Sequence, residues 1–322
     1  MKILREIAGP LAALVLVAIL VGLTTDRFFN PGNISNLILQ VSIVAIVAVG
    51  STIVIFSGGI DLSPGSAIAL LTMVFAVSHR DLGLPLFVVV PVVVALGAAL
   101  GLVNGVLIAY LRIPSFITTL AALSAFRGAA FMFNNGSPIS SLSPRLEPLF
   151  YGTLAGIPAP MFYVAAIYGL AFWFLRHTVW GRAIYAVGGN ANAARLSGIA
   201  VRKTQLVAFV IAGAMAGAGA VLMVARLNSG SPNYGVGLEL SAIAAAVVGG
   251  ASLAGGRGNI INTIVGALTI VIVQNALNLN AVPTSVQNVV IGAIIVLAVG
   301  IDMWRAELAH FIRRAVAGAK ST

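Results

Sequence analysis

Two short acidic motifs hold the residues of this 322-residue sequence that are best placed to do chemistry. Ile60-Asp61-Leu62-Ser63 and Leu238-Glu239-Leu240-Ser241 each place an acid, Leu and Ser ahead of a short segment of small residues, and they begin 178 residues apart. A carboxylate there can accept hydrogen bonds from the free backbone N–H groups that begin a helix. It can equally hold a broken helix that lines a path across a membrane. The sequence leaves both roles open for Asp61 and Glu239.

Familiar catalytic arrangements are missing from the sequence. No Gly-x-x-x-x-Gly-Lys-Ser/Thr or Gly-x-Ser-x-Gly motif occurs, so neither a phosphate-binding loop nor a nucleophilic serine is expected. His79, His177 and His310 are scattered and there is no cysteine, which argues against a metal site or a general-base cluster. We therefore expect no catalytic residue, no metal site and no cofactor bound by this chain.

The composition and its arrangement predict a membrane protein. Hydrophobic residues make up 60% of the chain and charged residues 8%, and the basic residues behind the net charge of +10 are too sparse for a nucleic-acid-binding surface. Ten apolar windows approach the length of a membrane-spanning helix, and Arg127 and Glu239 are their only charged residues. The windows are 7–24, 37–56, 64–78, 84–110, 115–134, 160–175, 206–225, 238–254, 260–278 and 285–301. We expect an all-α polytopic membrane protein with about ten transmembrane helices.

The distribution of basic residues predicts how these helices are oriented. If the N-terminus lies inside, thirteen Lys and Arg residues fall on that side and four on the other, which is a strong positive-inside bias. We therefore expect both termini in the cytoplasm. Lys2 and Arg5 begin the chain like a signal peptide, but no clear cleavage site follows, so the first window is predicted to be an uncleaved helix.

The two acidic motifs also predict an internal repeat. Five windows separate them, an odd number, so equivalent segments run through the membrane in opposite directions. Gly101-Leu102-Val103-Asn104 and Val273-Gln274-Asn275 form a fainter repeat. We expect one transmembrane domain, residues 1–322, built as two inverted five-helix halves of approximately 1–159 and 160–322. Glycines at four-residue spacing predict close helix packing: Gly97, Gly101, Gly105, Gly213 and Gly217.

The longest cytoplasmic loop in this topology, residues 176–205, contains a candidate partner-binding segment. Asn190 is placed as an N-cap, residues 191–197 form a run of good helix formers, and Gly198 is placed as a C-terminal stop. A short helix held between glycines suits insertion into a groove on a partner. A merely solvated loop is the alternative.

Several ordered motifs carry a resemblance to a known family. Gly188-Gly189-Asn190, followed by Ala193-Ala194-Arg195-Leu196-Ser197-Gly198-Ile199, resembles the cytoplasmic coupling segment of permease subunits of bacterial ATP-binding-cassette sugar importers, the ribose-type family. Residues 57–65 resemble that family's Gly-Gly-Ile-Asp-Leu-Ser-x-Gly signature, and residues 101–105, 114–120 and 127–128 follow in the family's order. The resemblance covers nearly the whole chain. It implies contact with an ATPase through Gly189, Asn190, Ala193, Ala194, Arg195, Leu196, Gly198 and Ile199.

The sequence departs from the family pattern at three positions. Relatives commonly carry a carboxylate just before the Ala-Ala pair, where this chain has Asn192, so no salt bridge to the ATPase is expected from that position. Ala191 and Pro64 also stand where other residue types are usual. Coupling is therefore expected to depend on the shape of the short helix and on Arg195.

The resemblance implies a transport subunit and not an enzyme. Such a permease moves a monosaccharide, a pentose or a hexose, across the bacterial inner membrane into the cytoplasm. The implied partners are a second permease copy, identical or a close paralogue, two P-loop ATPase domains that hold ATP and Mg²⁺, a periplasmic or lipid-anchored sugar-binding protein, and the lipid bilayer. No motif identifies the sugar.

Polar residues within the apolar windows are candidates for a low-affinity path, because helices this apolar cannot build a high-affinity sugar site. Arg127 lies about 12 residues into its window, beyond the midplane. It either extends to the outer surface or faces inward to pair with an acid or with sugar hydroxyls. The candidates for transient hydrogen bonds are Asn104, Ser115, Thr118, Thr119, Asn134 and Gln274.

Three other functions remain open. The permease of a branched-chain amino acid importer has a similar inverted architecture. A secondary carrier driven by H⁺ or Na⁺ is disfavoured because the windows hold no pair of acids suited to proton relay. An enzyme acting within the membrane is disfavoured by the missing catalytic groups.

Overall fold

In the computed structural model, helices follow one another through residues 2–25 and 27–300, the part of the chain that is described, with side chains described from Ile7 onward. The helices are α1 Lys2–Thr24, α2 Pro31–Phe56, α3 Pro64–Arg80, α4 Leu86–Ala109, α5 Ser115–Met132, α6 Glu147–Tyr151, α7 Ala159–His177, α8 Val179–Gly189, α9 Ala191–Leu196, α10 Val201–Leu227, α11 Leu238–Val248, α12 Ile260–Leu279 and α13 Thr284–Gly300. Short 3₁₀ turns occupy Phe133–Gly136 and Pro144–Leu146. Outside the described residues lie Ile301, which ends the tenth window, and Arg305, His310, Arg313, Arg314 and Lys320.

The strands are two residues long and form two antiparallel pairs. β1 (Ile139–Ser140) pairs with β4 (Ser229–Gly230), and β2 (Thr153–Leu154) pairs with β3 (Ile157–Pro158). Each of the ten predicted windows contains a helix, and seven of the described helices are long and apolar enough to cross a membrane. The prediction of an all-α polytopic membrane protein is therefore confirmed.

The helix in the eighth window is shorter than predicted. The window covers residues 238–254, whereas α11 ends at Val248. Gly249 and Gly250 follow it, and Gly250 has a φ of +91°, a conformation that a helix cannot continue. At 1.5 Å per residue, α11 covers about 16 Å, roughly half of the hydrocarbon layer.

The centre of the bundle is α2. Every residue from 41 to 56 is buried, which fits a helix that is apolar on all sides. α2 packs against α11 and α12, while α10 packs against α3 and α4. In the predicted halves, the second helix of each half therefore packs against the third and fourth helices of the other.

Glycines bring the backbones of α4 and α10 into direct contact. A Cβ atom added to Gly213 would lie 2.8 Å from the backbone N of Gly101, and one added to Gly217 would lie 2.8 Å from the Cα of Val94. Separations this short leave no room for a side chain. The predicted close packing at these glycines is confirmed.

The loops gather at two opposite ends of the bundle. At one end β1 pairs with β4, and Ser143 N–H donates to Asn228 Oδ1 at 2.9 Å. At the other end the backbones of Gly58, Gly188 and Gly255 approach one another. This sorting agrees with the alternation of loops that the windows predicted.

Replacing Gly213 with alanine is expected to destabilise the protein, because the new methyl group would overlap the backbone of α4. Overpacking of this kind costs about 1–3 kcal/mol in the free energy of unfolding. Gly169 of α7 has no atom within 4 Å of an added Cβ, so Gly169→Ala should leave stability unchanged. Thermal unfolding of both variants in detergent measures the difference, and equal midpoints would contradict the packing described here.

Candidate functional site

The first polar cluster surrounds the non-helical backbone at Ile60, between α2 and α3. Ile60 N–H donates to Ser115 Oγ at 3.2 Å, and Thr119 Oγ1 donates to Ile60 O at 3.2 Å. Both side chains come from the first turn of α5, where Thr119 also donates to Ser115 O. Thr118, one position away, is buried, and its hydroxyl has no hydrogen-bond partner in the described chain. Two of these three predicted residues thus hold the backbone of Ile60.

Asp61 and Ser63 extend this cluster to the start of α3. Asp61 is 5% exposed, and its Oδ1 accepts hydrogen bonds from the backbone N–H of Ser63 at 2.8 Å and from Ser63 Oγ at 2.6 Å. Asn104 of α4 donates from Nδ2 to Ser63 Oγ at 3.1 Å. Asp61 therefore shapes the turn just ahead of α3, but its carboxylate accepts from Ser63 and does not cap the free N–H groups of the helix itself.

The second polar cluster surrounds the non-helical backbone ahead of α11. Arg127 of α5 donates from one guanidinium nitrogen to the carbonyl oxygens of Pro232 and Tyr234. It therefore faces inward, and the half-buried carboxylate of Glu239 acts on it electrostatically. Glu239 lies in the first turn of α11, whose N-cap residue is Gly237 and which has no side-chain cap hydrogen bond.

The two clusters share one hydrogen bond in equivalent positions. Asn104 Nδ2 donates to Ser63 Oγ, and Gln274 Nε2 donates to Ser241 Oγ, both at 3.1 Å. Each serine ends an acid-Leu-Ser motif, and each amide lies on the helix that follows the short one. The fainter repeat had matched Asn104 with Asn275, but in the second half the bond to serine is made by Gln274, and Asn275 donates to Asn33 Oδ1 at 2.8 Å instead.

The two short helices α3 and α11 meet at their N-terminal ends. A Cβ atom on Gly65 would overlap Glu239 Oε2 and the carbonyl oxygen of Gly235. Oε2 has no hydrogen-bond partner in the described chain. Two positive helix ends therefore approach each other with the Glu239 carboxylate between them, an arrangement that partly neutralises both.

Asn134 lies apart from both clusters. It is exposed in the turn after α5, has a φ of +46°, and donates from Nδ2 to the carbonyl oxygen of Ser137 at 3.0 Å. The structure therefore brings Asn134 together with none of the other predicted path residues.

The segment predicted as a thirty-residue loop is mostly helical. Of residues 176–205, only Thr178, Asn190 and 197–200 lie outside helices, because α8 fills most of the space before Asn190. α8 was not predicted from the sequence. The signals for it were Thr178, whose Oγ1 accepts from Gly181 N–H at 3.1 Å, and the helical spacing of the buried Ile184 and Val187.

The short helix α9 is capped at both ends as predicted. Asn190 Oδ1 accepts from Ala193 N–H at 3.0 Å, and Gly198, with a φ of +82°, ends the helix. Ala194 is buried in a small cluster with Val187 of α8 and Val201 of α10.

Most of the other predicted coupling residues are exposed on the surface of the protein. Leu196 is 90% exposed, and Ile199 is partly buried. The exposed members are Gly189, Asn190, Ala193, Arg195, Leu196 and Gly198.

Four glycines seat α8 against the rest of the bundle, and we call Gly58, Gly188, Gly255 and Gly256 the glycine junction. A Cβ on Gly255 would lie 2.7 Å from Gly188 O and 2.9 Å from Gly58 Cα. Gly58, Gly255 and Gly256 have positive φ angles, which glycine adopts without strain.

Phe56, the last residue of α2, connects directly to this junction. Its carbonyl oxygen accepts from Gly256 N–H at 3.1 Å, and its ring stacks on Tyr185 of α8 with centroids 4.8 Å apart. The sequence analysis missed this junction, although Gly58-Gly59, Gly188-Gly189 and Gly255-Gly256 are visible as pairs. Nothing in a single sequence indicates that they meet.

Comparison with known proteins finds transport permeases. The profile of the family described as "Branched-chain amino acid transport system / permease component" matches residues 33–299. Ribose import permease protein RbsC of Escherichia coli (strain K12) is 42% identical over 303 residues, which are 93% of this chain and 94% of the relative. Xylose transport system permease protein XylH of Haemophilus influenzae is 35% identical over 91% of this chain and 94% of the relative. No solved structure matches significantly.

Thr118 and Thr119 provide a matched test of the first cluster. Thr119→Val removes the hydroxyl that Ile60 O shares with Ser115 O and leaves the partly buried Ile60 carbonyl without this donor, which costs about 1 kcal/mol in the free energy of unfolding. Thr118→Val should be neutral or stabilising, because the hydroxyl it removes is buried without a partner. Thermal unfolding in the same detergent compares them, and an equal loss of stability in both would contradict the assigned contact.

Proposed function

Since this chain belongs to the family of branched-chain amino acid transport system permease components, we propose that it is the permease subunit of an ATP-binding-cassette importer for a monosaccharide. Seven described helices that are long and apolar enough to cross a membrane support a multi-pass inner-membrane protein. Relatives named as ribose and xylose permeases align over nine-tenths of the chain, which favours a sugar over a branched-chain amino acid. The pentose or hexose is delivered by a periplasmic or lipid-anchored binding protein.

The energy for transport comes from partner subunits. The sequence has no P-loop motif, so ATP and Mg²⁺ are held by two ATPase domains and this chain binds no cofactor. The observation that carries the coupling proposal is the 90% exposed Leu196 on a helix fixed by two caps. An exposed leucine on a rigid helix is suited to a groove on the ATPase. The end of the bundle bearing α9 is then cytoplasmic, and so are both termini.

The glycine junction is the route by which α9 acts on the membrane helices. α8 leads into α9 at its C-terminal end. At the glycine junction, α8 contacts the end of α2 and the loop 249–259. The chain continues from the end of α2 into α3, and the loop 249–259 follows directly on α11. A shift of α8 therefore reaches both short helices, whose N-termini meet at Gly65 and Glu239. Separation of these ends opens the path.

The proposed path uses the two halves as an inverted repeat within a dimer of permeases. The equivalent bonds of Asn104 and Gln274 support the repeat. In the closed arrangement, the amide groups of Asn104 and Gln274 donate to Ser63 and Ser241. When α3 and α11 move, these amide groups become available to sugar hydroxyls. A second copy, identical or paralogous, completes the path.

Leu196→Asp is expected to abolish ATPase binding while leaving the permease folded, because the side chain has almost no contacts of its own. Loss of a buried leucine anchor in an interface costs about 2 kcal/mol or more. Co-purification with the ATPase and sugar uptake in vesicles measure the effect. Leu82→Asp, at an exposed leucine in the loop after α3, is the matched control. Unchanged co-purification of Leu196→Asp would contradict docking through α9.

Gly188→Ala is expected to separate ATP hydrolysis from transport. The added methyl would lie 2.7 Å from Gly256 N and overlap Phe56 O, so α8 would move away from α2 while α9 stays exposed. The reconstituted complex should keep its ATPase activity and lose most sugar uptake per ATP. Gly169→Ala is again the control. Parallel loss of hydrolysis and uptake, in a variant that still assembles, would count against the junction as the transmitting element.

A further inference from the structure

A cleft of about 960 Å³ opens beside the coupling segment and reaches Ser115 of the first polar cluster. Its walls are the turn between α4 and α5, the residues after α2, and the start of α10. We call it the basic cleft because Arg112, Arg195, Arg202 and Lys203 line it.

The positive charge of the basic cleft is not balanced within the described chain. All four side chains are exposed, no Asp or Glu lines the cleft, and Arg80–Asp81 is the salt bridge found among the described residues. Arg202 and Lys203 lie in the first turn of α10, where the helix end is itself positive and basic residues are unfavourable. The cleft therefore favours an anion from outside the chain.

The floor of the basic cleft is apolar and lies beside α4 and α10, two helices long and apolar enough to cross a membrane. Phe209 and Ile108 line it, and Phe209 is eight residues beyond the start of α10, about 12 Å deeper at 1.5 Å per residue. Tyr110 connects floor and rim, with the Arg202 guanidinium 6.0 Å from its ring centroid. Cations therefore lie at the level where the membrane helices begin, above an apolar surface.

We propose that the basic cleft binds an anionic phospholipid, with its phosphate among Arg112, Arg202 and Lys203 and an acyl chain against the exposed ring of Tyr110. Basic pockets between membrane helices on the cytoplasmic side recognise such headgroups. An acidic segment of the ATPase could pair with the basic residues at the rim. To fill the apolar floor, however, its polar groups would have to lose their hydration. The proposal goes beyond sugar transport and depends only on the membrane location of the chain.

The test measures binding of phosphatidylglycerol and phosphatidylcholine to the purified full-length chain by native mass spectrometry. Wild type should prefer phosphatidylglycerol. The triple variant Arg112→Gln, Arg202→Gln, Lys203→Gln should bind it roughly a hundredfold more weakly, because each basic residue near an anionic surface contributes substantially to binding. Phosphatidylcholine binding should not change. Arg195 is left intact because it lies on α9.

The control is a triple variant with the same loss of charge elsewhere: Arg27→Gln, Arg145→Gln, Arg176→Gln, three exposed arginines outside the cleft. It should keep the wild-type preference. If the first triple variant does not fold, Lys203→Gln alone should still weaken phosphatidylglycerol binding about fivefold.

Three results would overturn the proposal. Wild type with no preference for phosphatidylglycerol would remove the site. An equal loss of phosphatidylglycerol binding in both triple variants would show that the net charge of the protein, and not the cleft, determines binding. Release of phosphatidylglycerol when the ATPase binds would assign the cleft to an acidic protein segment. None of these depends on whether the chain carries sugar.

Discussion

The structure depends on one constraint: backbone that is not helical lies within the bundle, and its N–H and C=O groups must find partners in the protein because the bilayer offers none. The stretches ahead of α3 and α11 are of this kind. Side chains of α5 serve both, since Ser115 and Thr119 pair with Ile60 while Arg127 pairs with the carbonyls before α11. Ser115, Thr119 and Arg127 are thus placed where the helices are broken.

The same constraint explains why these residues could serve transport. A short helix that begins inside the bundle has a free, positive N-terminus, and here two such ends meet with Glu239 between them. Hydrogen bonds from side chains can be exchanged for bonds to a sugar when the helices move, whereas bonds within a continuous helix cannot. Helix movement also depends on glycines. At the α4–α10 interface and at the glycine junction, glycines let the backbones touch, so that the helices can move as rigid parts.

The secondary-structure elements could mostly be predicted from the sequence, but the contacts between them could not. Windows, caps and the positions of the short helices follow from local rules, so Asn190, Gly198 and the start of α3 were predicted correctly. Thr118 and Thr119 are alike in the sequence, yet a rotation of about 100° along the helix gives one a partner and leaves the other without. The end of α11 depended on two glycines inside an apolar stretch, and α8 was hidden by its modest length. Which glycine pairs meet is a property of the tertiary fold.

The most direct test of the account is hydrogen–deuterium exchange of the full-length chain in lipid nanodiscs, followed at the backbone amides of Ile60 and Ser63. Both amides donate to side chains, Ile60 to Ser115 and Ser63 to Asp61. The account predicts that they exchange about as slowly as amides inside α2, and that Ser115→Ala accelerates Ile60 alone. Exchange as fast as in the exposed turn between β2 and β3 would contradict the claim that polar side chains hold the broken backbone within the membrane.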